Sequence, residues 1–170
     1  RATFFMLGEG ALAHGAVVGR AVTEGHEIGN HGWRDRPCRR LALPTFLDDL
    51  RRAHAVLSAH APVSLMRPGS GLIRRDQRRA LPGLGYRCVL GSAYLLDAHL
   101  PQGRPLAAGL ARLAAPGAIL IAHQGCAYYG TRLELKEPRL ELVQRADLVR
   151  AAAYVHRVTG LNDIQAYYAR

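Results

Sequence analysis

Lysine is all but missing from this chain: Lys136 is the only one among 23 basic residues, which stand against 13 acidic ones and give a net charge of +10. The charge is therefore arginine, and it reflects a compositional preference as readily as an anionic partner. Aromatic residues are scarce at 6%. The densest arginine groups, Arg34/Arg36/Arg39/Arg40 and Arg74/Arg75/Arg78/Arg79, lack the interleaved rings of a single-strand nucleic-acid platform, so no nucleic-acid partner is expected. Cys38, Cys88 and Cys126 are odd in number and irregularly spaced, which excludes a disulfide framework and a C-x-x-C metal knuckle. No apolar run reaches membrane-spanning length, and no basic-then-apolar leader stands at the start. Arg1 is not an initiator, and Arg1 to Phe5 reads as the interior of a protein, so any leader or anchor is expected upstream. Internal repeats and low-complexity segments are absent too.

What is present is enough apolar material, 49% of 170 residues, for one domain with a core, taken as residues 1–170. Ala2 to Leu7 is a short apolar run, predicted as a strand buried on both faces and ended by Gly8 and Gly10. From Ala11 to Glu24, residues Ala13, Val17, Val18, Ala21 and Val22 recur at three- and four-residue spacing and predict one helix, with Gly25 placed for a left-handed cap. A strand follows at His26 to Gly29. Pro44 and Thr45 open the next helix, with Thr45 and Asp48 approximating a capping box and Phe46, Leu50, Ala53 and Leu57 as its buried stripe. Then come a strand at Ser64 to Met66, a turn at Arg67-Pro68-Gly69-Ser70-Gly71, an arginine-rich helix to Leu81 and a strand at Tyr86 to Leu90. Leu106, Leu110 and Leu113 mark another helix, and Ala118 to Ala122 an apolar strand that delivers His123. Beyond Gly125, residues 146–158 read as helix and 161–164 as a last strand. Strand and helix alternate, which predicts an α/β fold with parallel strands, a barrel or an open doubly wound sheet.

In such folds chemistry gathers just after the carboxyl ends of the strands. Four groups occupy those places: His31 with Asp35, the turn around Arg67 and Ser70, Asp97, and His123. His31 and Asp35 share a face if their segment coils into a helical turn, and a divalent metal can bind both. The alternative is that His31 packs under its loop and Asp35 pairs with Arg34 or Arg36. Arg67 can hold a carboxylate through a bidentate pair, or make a surface ion pair. The turn at Ser70 can offer backbone N–H groups to an oxyanion. His123 ends an apolar strand as a general acid or as a core histidine. His26 reads as structural, its ring set near the start of its strand.

Taken in order, these pieces resemble the polysaccharide deacetylases, the NodB-homology or carbohydrate esterase 4 family. Ala2-Thr3-Phe4-Phe5 matches A-T-F-F, and Gly25-His26-Glu27-Ile28-Gly29-Asn30-His31 matches G-H-E-I-G-N-H. Arg67-Pro68-Gly69-Ser70-Gly71 falls where the family has R-P-P-Y-G, Leu84 to Leu90 where it has L-G-Y-x-x-V, and Pro116 to His123 where it has P-G-S-I-x-L-x-H. The resemblance covers Ala2 to about Gly125. It implies a distorted (β/α) barrel that removes acetyl groups from an N-acetylated amino sugar or polysaccharide with a divalent metal, commonly zinc. His31 and Asp35 would then be metal ligands, Arg67 would orient the base, Ser70 would help hold the oxyanion and His123 would protonate the leaving amine. Many relatives are secreted or membrane-associated.

The chain departs from the family pattern in three places. The T-F-D-D-G signature, carrying the catalytic base and a metal-binding aspartate, lies upstream of A-T-F-F in the family and is not in this chain, so a barrel lacking its first strand is expected. Asp35 stands where the family has a second histidine, which makes a harder site less partial to zinc. Ser70 replaces a tyrosine, and Leu90 to Asp97 replaces a tryptophan-rich signature. Three functions are thus in play: a metal-dependent deacetylase, a non-catalytic deacetylase-like domain that binds carbohydrate or protein, and, last, an arginine-driven nucleic-acid binder.

Overall fold

The computed structural model describes residues 2–94, 119–123 and 166–169. The chain divides into two compact units, residues 1–90 with 169–170, and residues 91–168. In the first unit β1 (Ala2–Met6), β2 (Glu27–Asn30), β3 (Leu65–Met66) and β4 (Arg87–Cys88) lie parallel in the order β4-β3-β2-β1. The register runs from Thr3↔Glu27 to Met6↔Asn30, then Asn30↔Met66 and Met66↔Cys88. Parallel neighbours need crossovers; they are supplied by α1 (Gly8–Ala13), α2 (Gly15–Thr23), α3 (Leu43–Leu57) and α4 (Arg75–Ala80). In the second unit β5 (Ala93–Tyr94), β6 (Leu120–His123) and β7 (Ala166–Ala169) follow the order β7-β6-β5, with β5 and β6 parallel. This is the α/β architecture of parallel strands and flanking helices that the alternation predicts.

The strongest agreement is α3, whose stripe of Phe46, Leu50, Ala53 and Leu57 is buried along its whole length. The four-residue recurrence puts these side chains on one face, and each large one contributes about 2 kcal/mol by leaving water. Phe46, Leu50 and Leu57 join Val18, Ile28, Met66 and Tyr86 in one core. The helix start differs from expectation. Ala42 is the N-cap, with no side-chain cap bond, because Pro44 sets helical backbone before Thr45 and leaves that hydroxyl inside the first turn.

The first crossover also differs. One helix over residues 11–24 is two, broken at His14 (φ −129°, ψ 43°). The break resets the helical phase, so Val18 and Ala21 are buried while Val17 faces solvent. Gly8 and Gly10 do not end a strand but lie within α1, and a Cβ on Gly8 would come within 2.6 Å of the Trp33 ring and 2.7 Å of Ala53 Cα. Gly25 does adopt the left-handed conformation (φ 81°). The expected strand at 86–90 shortens to the two residues of β4. The helices at 106–113 and 146–158, the strand at 161–164 and Asp97 lie outside the described residues.

Burial in this core raises the Cys38 and Cys88 thiols above the ordinary 9.0 and the Tyr86 hydroxyl above 10.0. A hydrogen bond from Asn30 to Tyr86 opposes its shift, as the Gly69 N–H does for Cys38. In each case the native state keeps its proton to a higher pH than the unfolded chain does. Stability is thus undiminished below the unfolded values and falls as pH rises from about 9 toward the folded ones. Urea melts at increasing pH are expected to show the midpoint dropping above pH ~9, less steeply in Cys38→Ala; a midpoint flat through that window would contradict it.

Candidate functional site

Two of the candidate residues, His31 and Arg67, meet where β2 and β3 end. Asn30, the last residue of β2, is fully buried and uses its whole amide: Nδ2 donates to Leu50 O (3.0 Å) and to Tyr86 Oη (2.9 Å), and Oδ1 accepts from Gly32 N–H (2.8 Å). Tyr86 Oη is in turn hydrogen-bonded to His54 Nδ1 at 2.6 Å. The backbone carbonyl of Asn30 accepts from Arg67 N–H (3.0 Å), and His31 N–H donates to Met6 O (3.0 Å). The strand end is therefore clamped from three sides.

His31 is buried, and its Nδ1 lies 2.8 Å from the carbonyl oxygen of Arg67. A carbonyl only accepts, so Nδ1 carries the proton and the neutral ring keeps its lone pair on Nε2. That is the tautomer of an imidazole presented as a ligand or an acceptor. Arg67 is buried, with its guanidinium 4.2 Å over the Phe5 ring and Nε 3.2 Å from Val89 O. These contacts fix its stem and plane at the mouth of the sheet.

The turn after Arg67 is built on a close approach. The Gly69 N–H donates to Cys38 Sγ (3.1 Å), and a Cβ on Gly69 would fall 2.3 Å from the carbonyl oxygen of Arg36. Arg36 is anchored in turn by Asp49, a buried carboxylate, at 2.6 Å. Ser70 follows, exposed and in the left-handed region (φ 62°, ψ 15°), a conformation costing about 1 kcal/mol for a residue with a side chain.

Asp35 departs from expectation. Residues 33–35 form bends instead of a helical turn, and Asp35 is exposed while His31 is buried. The segment cannot coil because both its ends are held: Gly32 and Trp33 carbonyls accept from Gly8 and Glu9 N–H groups, Trp33 is buried beneath Arg52, and Arg34 pairs with Glu9 at 2.9 Å. A catalytic zinc ordinarily takes three protein ligands. Among the described residues no three His, Cys, Asp or Glu side chains gather, so the described residues do not by themselves fit a metal centre. His123 closes β6 in the second unit. His26 is structural: its Nδ1 accepts from Ala2 N–H (3.0 Å) and its ring meets Phe4 edge-on at 5.0 Å.

Sequence reading assigns Asn30 no role beyond its place in a motif. An amide closing an otherwise apolar strand was the available signal, since a buried amide demands several partners. Gln77, also fully buried, was hidden in the arginine-rich helix for the same reason.

Residues 1–89 match the family described as Polysaccharide deacetylase. The chain belongs to the polysaccharide deacetylase family. Its structure is similar to that of a CE4 family pseudoenzyme from Bacillus anthracis, at 16% identity and a TM-score of 0.73, over 98% of this chain and 53% of that one. This chain thus spans about half the length of that relative. A peptidoglycan deacetylase from Bacillus subtilis matches at 20% identity and a TM-score of 0.72, over 98% of this chain and 73% of that one. A family 4 carbohydrate esterase from Streptomyces lividans, in complex with acetate, matches at 18% identity and a TM-score of 0.72, over 90% of this chain and 74% of that one. At these identities the likeness establishes the fold. Among the described residues, no helix of this chain is long and apolar enough to cross a membrane.

Proposed function

We propose that this chain is a deacetylase-fold domain that binds N-acetylated carbohydrate without hydrolysing it, with residues 1–170 forming one domain of the distorted (β/α) barrel type. The observation that carries this reading is the exposed Asp35 in a bend beside the buried His31, with no third ligand gathered among the described residues. Likeness to a relative described as a pseudoenzyme supports it. In this reading His31 Nε2 accepts a hydrogen bond from a sugar hydroxyl or amide, and Arg67 and Ser70 shape the mouth around it.

The second reading is a metal-dependent deacetylase. It is favoured by the His31 tautomer, which suits a metal ligand with Nδ1 held by a carbonyl. In it His31 and Asp35 would hold a divalent ion, commonly zinc, which when bound polarises an amide carbonyl. Arg67 would orient a base, the Ser70 turn would hold the oxyanion, and His123 would protonate the amine.

Calorimetric titration with chitin oligomers, run beside an acetate-release assay with and without added zinc, separates the two. Binding without acetate release, weakened by His31→Ala, is the expected result. Zinc-dependent acetate release abolished by chelation would establish the second reading, and absence of any oligomer binding would remove the first.

A further inference from the structure

The inner face of α4 carries a fully buried amide, Gln77, where an apolar side chain would pack equally well. A buried amide gives up its water and returns little net stability per hydrogen bond, so what it adds is direction. Its Oε1 accepts from the Arg74 N–H at 3.0 Å, which fixes the orientation of the amide, and its Nε2 donates to the carbonyls of Cys38 (2.8 Å) and Leu41 (3.0 Å). The turn Cys38–Arg40 has three residues and α4 has six, lengths at which backbone bonds alone do not hold a helical segment in place. Gln77 ties the two together.

From Cys38 the tie continues to the turn after β3. The Cys38 thiol accepts from the Gly69 N–H at 3.1 Å, and the Gly71 N–H donates to Pro68 O at 3.0 Å. Between these glycines stands Ser70, the one residue other than glycine with positive φ among the described residues. Such a backbone persists where its surroundings over-determine it. Here the surroundings are the Arg36 carbonyl and the Cys38 backbone, packed against Gly69. Asp49 holds the Arg36 end of that segment through its ion pair, and Gln77 holds the end from Cys38 to Leu41.

We propose that Gln77 is a positioning residue: through the backbone and thiol of Cys38 it sets the Arg67–Gly71 turn, and with it Ser70, in the geometry that a bound carbohydrate meets. This rests on the carbohydrate reading above, in which Ser70 shapes the mouth, and adds to it a buried residue that touches no ligand. Without the two Nε2 bonds the segment from Cys38 to Leu41 lifts from α4 and the thiol leaves the Gly69 N–H. Ser70 then relaxes out of the left-handed region.

The test compares the whole chain with Gln77→Met, Gln77→Glu and Val18→Ala, each at a temperature where melts show it folded. Methionine fills the space and donates nothing, while Val18→Ala removes core volume from α2, which makes none of these bonds. Two quantities are read: affinity for chitin oligomers, and the rate at which iodoacetamide alkylates buried Cys38, scored by mass spectrometry of its peptide. Gln77→Met is expected to bind oligomers about tenfold more weakly. Its Cys38 should also be alkylated about tenfold faster than its measured loss of global stability accounts for, whereas Val18→Ala shows neither effect. In Gln77→Glu the carboxylate cannot donate to the two carbonyls, but the protonated acid, which burial favours, donates to one. Its binding deficit relative to the parent should therefore shrink as pH falls from about 7 to about 5. Alkylation of Gln77→Met no faster than global stability predicts, faster alkylation with unchanged oligomer binding, or a Gln77→Glu deficit independent of pH would each overturn the proposal. A parent chain that binds no oligomer removes the carbohydrate reading alone, and the alkylation rates then still decide whether Gln77 sets the turn.

Discussion

Asn30→Ala is expected to lower the stability of the first unit by about 3 to 5 kcal/mol, the largest loss from any single polar side chain here. Its amide makes three buried or half-buried bonds, to Leu50 O, Tyr86 Oη and Gly32 N–H. Alanine strands all three partners where water does not reach, and each stranded group costs about 1 to 3 kcal/mol. The loss reaches the site as well, because the Gly32 bond sets the chain just after His31. Trp33, the only tryptophan in the sequence, lies in this unit, so its fluorescence reports the melt directly. Tyr86→Phe removes only the link to His54 and Asn30 and should cost about 1 kcal/mol. An Asn30→Ala midpoint indistinguishable from that of the parent would show that the clamp does not hold this strand end.

Gly69→Ala is the second large effect, of about 3 kcal/mol. Its Cβ would stand 2.3 Å from the Arg36 carbonyl oxygen, which is backbone and cannot swing aside. The Arg36 segment is itself tied down, through the Asp49 carboxylate at one point and through Cys38 at another. Relief therefore requires the Arg67–Gly71 turn and the loop after β2 to separate. Urea denaturation should show the destabilisation. Titration at a temperature where the variant is folded should show weaker oligomer binding, and unaltered affinity with unaltered stability would refute the close approach.

How much of this was legible beforehand depends on how local the cause is. The α3 stripe could be read because four apolar residues at helical spacing have one way to be buried together. The strand-turn-helix punctuation around Gly25 and Arg67–Gly71 could be read because glycine and proline act through their own backbone. The capping box at Thr45 and the continuous helix over 11–24 failed because a neighbouring proline and the His14 backbone changed the phase of patterns that were locally sound.

The site shows the same division. Residue type and order were sufficient to place His31 and Arg67 at neighbouring strand ends and to identify the family, since strand ends in a parallel sheet converge whatever the loops do. They were not sufficient for Asp35. Whether a carboxylate four positions from His31 shares its face depends on the path of the loop, and that path is held by groups distant in sequence: Gly8 and Glu9 from α1, and Arg52 from α3. The sequence by itself determined the parallel α/β fold, the core stripe and the family, because these follow from periodicity and motif order. Only the tertiary structure decided that Asn30 is the clamp, that His31 and Asp35 part into buried and exposed positions, and that Gln77 ties α4 to the segment from Cys38 to Leu41. Each of those outcomes is made by hydrogen bonds between segments far apart in the chain, which no local pattern encodes.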